Sequence, residues 1–146
     1  MDNSQKIQYT IDRFAAANIS ITADMADKLV RLCDFMVEYN ENVNLTSITE
    51  FEEVVDKHFV DSVLPFFMVE IPEGSSFIDV GTGAGFPALP LLIVRPDLKG
   101  TLCDSLNKRC VYLEKACELV GIHAEIIHAR SEELGRKKRE CFDFAT

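Results

Sequence analysis

The sequence predicts an α/β fold, a parallel sheet preceded by an N-terminal helical cap. Three observations carry that prediction. Apolar residues recur at helical spacing through residues 1–72. From Ser76 the pattern changes to short apolar runs alternating with helical stretches, which predicts parallel strands covered on both faces. At the junction, Phe77-Ile78-Asp79-Val80 runs into Gly81-Thr82-Gly83-Ala84-Gly85-Phe86-Pro87. An apolar run there ends in an acid and opens into three glycines at every second position. The domain boundary is therefore placed between a cap, 1–72, and a sheet unit, 73–146.

The elements follow in order. Ile7, Ile11, Phe14 and Ala15 predict a first helix over about 4–17. Thr22 suits an N-cap, with Asp24 in the first turn. Met25, Leu29, Leu32, Phe35, Met36 and Tyr39 give the second helix its apolar stripe, running to about Asn40. Asn40, Asn42 and Asn44 suit a turn, because asparagine tolerates left-handed backbone and bonds locally. That stretch is either a connector or a polar surface facing a substrate. Thr49-Glu50-Phe51-Glu52 has the form of a capping box. It opens a third helix with Val54, Val55, His58, Phe59, Val63 and Leu64 inward, closed by Pro65. His58 among apolar neighbours reads as a packed, hydrogen-bonded residue. Asp61 and Ser62 have no side assigned by periodicity.

Past the linker, strands are predicted at 76–80, 100–104, 124–128 and 141–145, with helices near 87–94, 106–120 and 131–135. Pro87 suits a first helical turn and Gly121 a helix C-cap. The chain stops inside the fourth strand, so the expectation is the front part of a longer protein, with a sheet incomplete at its C-terminus.

Composition excludes several classes. No apolar run approaches the roughly 20 residues of a membrane span, and the N-terminus lacks the order of a signal peptide. The five cysteines are odd in number and widely spaced, so they read as free thiols in a reducing cytoplasm rather than as a disulfide or metal framework. Net charge is −9, which argues against a general nucleic-acid binder. The acidity sits in residues 1–72, which hold five Lys/Arg against thirteen Asp/Glu. Residues 73–146 hold ten against eleven. The basic run Arg136-Lys137-Lys138-Arg139 and the pair Lys108-Arg109 are candidate phosphate contacts. A solvated loop is the plainer reading of the run.

Three features follow successive strands and so converge at their carboxyl ends, where open α/β sheets bind ligands. The first is the glycine loop, Gly81, Gly83 and Gly85, with Asp79 before it. Its freed N–H groups and the helix start after it are expected to receive a negatively charged group. The second is Asp104, 19 residues past Gly85, suited to ribose hydroxyls. The third is Arg130-Ser131-Glu132-Glu133, bordering the same crevice. Together they predict a nucleoside with a charged tail. Phe86 occupies the sixth position of the dinucleotide fingerprint Gly-x-Gly-x-x-Gly, which disfavours a nicotinamide cofactor.

Asp-Val-Gly-x-Gly-x-Gly resembles the first motif of class I methyltransferases, which have a Rossmann-like fold and bind S-adenosyl-L-methionine. More of the chain is similar to one family of them. Gly-Thr-Gly-Ala-Gly-Phe-Pro-Ala-Leu-Pro-Leu, Asp104-Ser105-Leu106-Asn107-Lys108-Arg109 and Arg130-Ser131-Glu132-Glu133 resemble the glucose-inhibited division protein B family. So do Tyr39-Asn40-x-x-x-Asn44-Leu45-Thr46 and His58-Phe59-x-Asp61-Ser62. These are bacterial guanine-N7 methyltransferases of small-subunit (16S) ribosomal RNA. The resemblance implies cofactor contacts at Gly81, Phe86, Ser131 and Glu132, with Asp104 at the ribose; Gly83, Gly85 and Asp79 of the same loop are counted with them as cofactor-binding residues. It implies no metal, no membrane and no catalytic base, and it leaves oligomeric state open. The family usually has glycine at Ala88, so helix packing there is expected to differ slightly. It also places a further arginine past the fourth strand, beyond Thr146, so this chain would lack part of its site and be an inactive fragment. The alternatives are a class I methyltransferase acting on a small molecule or protein, a nicotinamide-binding oxidoreductase domain, and a nucleotide-binding module without catalysis.

Overall fold

The computed structural model describes residues 1–130, 132 and 142–146. Two amphipathic helices come first, α1 (Asn3–Ala16) and α2 (Ala23–Tyr39). Thr22 caps α2 by accepting from the Met25 N–H. The capping box lies at α1, where Asp2 and Gln5 bond each other's backbone N–H reciprocally. The box expected at Thr49 does not form. Glu50 is the N-cap there and makes no side-chain cap bond.

The third helix is broken. It runs as α3 (Phe51–Glu53), a π-helical stretch (Val54–Val60) and α4 (Asp61–Phe67). Pro65 lies inside α4 rather than closing the helix before it. It lies about a turn before the end of a helical run that begins at Phe51, so few hydrogen bonds follow it.

The sheet contains β1 (Ser76–Val80), β2 (Lys99–Asp104), β3 (Ala124–His128) and β4 (Phe144–Ala145), in the order β3-β2-β1-β4, all parallel. Helices α5 (Ala88–Val94) and α6 (Asn107–Val120) make the crossovers. Gly121 ends α6 in the left-handed conformation, as expected of a C-cap. The helix expected at 131–135, the basic run 136–139 and Cys141 lie outside the described residues, apart from Glu132.

Strand register fixes what shares a face. Asp79 pairs with Leu102, and Phe77 with Gly100. By the two-residue alternation of a strand, Phe77, Asp79, Leu102 and Asp104 point to one side. That side carries a single core cluster, to which Phe14, Leu32, Met36, Phe59, Phe77, Leu91, Leu102 and Leu113 all belong. The helices of residues 1–72 therefore share one core with the sheet. On the other face, Ile78 and Cys103 form a small cluster with Ile127, Ala129 and Phe142. The expected second helical layer is not present among the described residues. Tyr112 joins α6 to α2, stacked on Phe35 at 5.7 Å and against Tyr39 at 5.1 Å.

Candidate functional site

The glycine loop follows β1 and is pinned from inside. Gly81 and Thr82 donate their N–H groups to the Cys103 carbonyl at 2.9 and 3.1 Å. Gly85 N–H donates to the Thr82 carbonyl, and Gly83 N–H to Asp104 Oδ2, both at 2.9 Å. Most loop amides are thus spent within the protein. At the helix start, Asp79 accepts from Thr82 Oγ1 at 2.8 Å, and the nearby Ala88 N–H favours its ionised form. This corrects the expectation of free amides awaiting an anion. A carboxylate of the chain already occupies that place, favourably set at a helix N-terminus.

What the loop offers outward is close backbone approach. Gly81 and Gly83 have φ of +69° and +59°, and a β-carbon on either would meet nothing within 4 Å. Gly85 is the opposite case. Its φ is +91°, and a β-carbon there would lie 2.5 Å from Leu89 Cδ1 and 3.0 Å from Leu113 Cδ2. Gly85 lets the loop lie against α5 and α6. It takes the packing role that Phe86 cannot, and Ala88 nearby is fully buried.

Two carboxylates organise the site. Asp79 is only 3% exposed. Burial pushes its carboxyl above the usual carboxylate range, opposed by bonds from Thr82, Thr146 and the Ala88 N–H; Asp104 nearby adds to the rise. Asp104 is equally buried. It accepts from Gly83 N–H and, through Oδ1, from Leu106 N–H at 2.9 Å. Arg109 Nη1 lies 3.8 Å from the same Oδ1, and Arg109 Nε is buried without a partner. A carboxylate has about four acceptor positions, so Asp104 keeps capacity beyond its two backbone donors.

A cleft of about 430 Å³ lies at the strand ends beside the loop, lined by Val80, Gly81, Ser105, Ala129, Arg130 and Glu132. Gly81 and Glu132 thus share the cleft; Asp104, at the end of β2, is not among its lining residues and meets the loop through the Gly83 N–H. Ser131 lies outside the described residues. Phe86 does not line this cleft. Its ring stacks on His58 with centroids 4.5 Å apart, in a neighbouring cleft that shares the loop. Sequence reasoning missed Leu106, half exposed beside Ser105 at the rim. Its signal was an apolar residue two places past the strand acid.

His58 is half-buried and bonded, as its apolar neighbours suggested. Its Nε2 is 2.8 Å from Thr46 Oγ1. Asn40 holds Thr46 in turn, accepting from the Leu45 and Thr46 N–H groups and donating to the Thr46 carbonyl. Asn40 thereby acts as a connector, linking the end of α2 through Thr46 to the ring that backs Phe86. Burial lowers the His58 pKa, and Asp61 partly opposes this.

A parallel sheet in this order, a glycine turn after its first strand and a carboxylate ending its second define the Rossmann-like fold of the class I methyltransferases. The particular family follows from comparison. The chain belongs to the rRNA small subunit methyltransferase G family, whose model matches residues 25–146. It is 44% identical over 134 residues to ribosomal RNA small subunit methyltransferase G of Clostridium perfringens (strain 13 / Type A), covering 90% of this chain and 56% of that protein. It is 42% identical over 135 residues to the protein of the same name in Bacillus subtilis (strain 168), with the same coverage. For the Clostridium novyi (strain NT) protein of that name, identity is 40% over 146 residues, covering 97% and 60%. The chain thus spans little more than half the length of these curated relatives.

Among the described residues, no helix is long and apolar enough to cross a membrane and no cluster of His, Cys, Asp and Glu is suited to a metal. Cys33, Cys110 and Cys117 are buried free thiols.

Proposed function

We propose that this chain carries the cofactor-binding part of an S-adenosyl-L-methionine-dependent methyltransferase acting on N7 of a guanine in small-subunit ribosomal RNA. The observation that carries the reading is the open backbone at Gly81 and Gly83 beside Asp104, in a chain of this family. The residues fit the cofactor. Gly81 and Gly83 leave room where a side chain would stand. Asp104 has acceptor capacity for ribose hydroxyls, Arg109 has an unspent donor, and Glu132 borders the adenine side. Phe86, Gly85 and Asp79 hold the loop in shape. When bound, the cofactor supplies an electrophilic methyl group on a sulfonium sulfur.

Guanine N7 carries a lone pair and no proton, so no side chain is needed as a base. The chain contributes position, which can supply most of a barrier reduction of this kind. Residues 1–72 serve as a cap over the loop, and residues 73–146 as the binding unit. The cytoplasm suits the free thiols and the ribosomal substrate.

One observation favours a second reading, in which the acceptor is a small molecule or protein. All five cations of residues 1–72 are taken in ion pairs: Lys6–Asp34, Arg13–Asp56, Lys28–Asp24, Arg31–Asp27 and Lys57–Glu53. That surface repels phosphate, so RNA would have to approach past Lys108, Arg109 and Arg130. Methyl transfer from radiolabelled S-adenosyl-L-methionine to 16S ribosomal RNA, run beside a metabolite and protein panel, separates the two. Label in the RNA supports the first reading; label only in the panel replaces it with the second.

A further inference from the structure

A second cleft meets the same loop, five residues past Gly81. It has a volume of about 470 Å³ and is lined by Lys57, His58, Asp61, Ser62, Phe86 and Pro87, among others. That volume falls within the roughly 300–1,000 Å³ of small-molecule sites. We propose that this cleft receives the acceptor base and selects guanine through the Asp61 carboxylate. The inference rests on the methyltransferase reading above and adds its substrate subsite.

Three observations support it. The stacked rings of His58 and Phe86, 4.5 Å apart and 16° from parallel, give one wall a planar aromatic character. Unpaired RNA bases are held by stacking on such groups. Asp61 is exposed and makes no hydrogen bond or ion pair among the described residues, although the five cations of its half all find partners. The π-helical stretch ends directly before Asp61, and π-turns often occur at functional sites.

The chemistry chooses the base. Guanine presents two adjacent donors, N1–H and N2–H, on its pairing edge. A carboxylate only accepts and can take both at once. Adenine presents an acceptor at N1, which a carboxylate repels. N7 lies on another edge of the purine. A guanine held by its N1 and N2 donors therefore keeps N7 clear of Asp61, free to face the loop. Ser62, beside Asp61, supplies a hydroxyl that can serve O6 or the sugar.

The test uses the whole chain, isotope-labelled, in amide NMR titrations with guanosine, inosine and adenosine 5′-monophosphates. Guanosine monophosphate is expected to shift the amides of Lys57, Asp61, Ser62 and Phe86. It should bind on the order of tenfold tighter than the inosine compound, which lacks the 2-amino donor, and tighter still than the adenosine one. Asp61→Asn, on an exposed position, should keep the spectrum dispersed and reduce the guanosine preference over inosine to less than about twofold. Shifts elsewhere, equal binding of the three nucleotides, or an unchanged preference in Asp61→Asn would overturn the proposal. S-adenosylhomocysteine is titrated separately. If it shifts Gly81 while no guanine preference is found, the acceptor subsite falls and the methyltransferase reading stands. If it does not bind, the methyltransferase reading falls, and with it the acceptor role of any guanine-selective cleft.

Discussion

The two edges of the sheet are made from the same strands and differ in what they leave unspent. At the amino ends lies the larger hollow, about 700 Å³, bordered by Lys28, Asp97, Lys99, Gly121, His123 and Glu125. At the carboxyl ends the cleft is smaller, about 430 Å³. In the larger hollow the polar groups are largely committed. Lys28 pairs with Asp24, and Asp97 is held by Arg95 and by the Gly74 N–H, which bring its carboxyl down to about 2. Gly100 there is closed by Leu92 and Phe77. The smaller cleft has open backbone at Gly81, a loop held by two buried carboxylates and an unpartnered Arg109 Nε beside Asp104. Volume therefore does not locate the site. Backbone exposure and unspent hydrogen-bonding capacity do.

Substitutions sharpen that contrast. The largest effect is expected inside the loop. Gly85→Ala places a β-carbon against Leu89 and Leu113 at positive φ. Strain and overpacking together should cost about 3 kcal/mol or more, read as a fall in the urea midpoint or failure to fold. Asp79→Ala follows, leaving the buried Thr82 hydroxyl without its acceptor. About 1–3 kcal/mol is expected, measured in the same way.

His58 makes a smaller, pH-dependent difference. Its folded pKa is lowered by burial, so the neutral ring favours the native state at pH above the unfolded value of about 6.5. That contribution is lost as pH falls through the folded value. Stability of the wild-type chain should drop between pH 7.5 and 5, and His58→Gln should drop less. Equal slopes would remove His58 as the cause. The smallest effect belongs to the other edge. Lys99→Ala should stay within about 0.5 kcal/mol of wild type and leave ligand affinity unchanged. A clear loss of affinity there would reverse the comparison of the edges.

The sheet was legible because Phe77–Val80 and the short Leu102-Cys103 core of the second strand are apolar stretches bounded by turn residues, a pattern tertiary packing reinforces. The positions of Gly81 and Asp104 followed from counting along those strands. The direction of the loop amides was not legible. Nothing in the spacing of Asp79 shows that its carboxylate folds back onto Thr82 and Ala88, since that depends on the turn between them. Asp61 and Ser62 were illegible for a different reason. The π-helical stretch widens one turn and shifts the helical phase, so a 3.6-residue extrapolation from Val54 loses the register before reaching them. The Thr49 box failed because Glu50, not Thr49, takes the N-cap position. Pro65 misled because the helix carries past it for two residues, to Phe67, instead of ending before it.

The most direct measurement is titration of S-adenosylhomocysteine into the wild-type chain and Gly81→Ala, followed by amide shifts. Shifts at Gly81, Gly83, Ser105 and Glu132 are expected in the wild type. Gly81→Ala should remain folded, since its β-carbon meets only open space and costs about 1–2 kcal/mol in backbone strain, yet bind at least about tenfold more weakly, a loss of about 1.4 kcal/mol. Shifts gathered at Lys99 and His123 instead, or undiminished binding by Gly81→Ala, would contradict a site at the carboxyl ends of the strands.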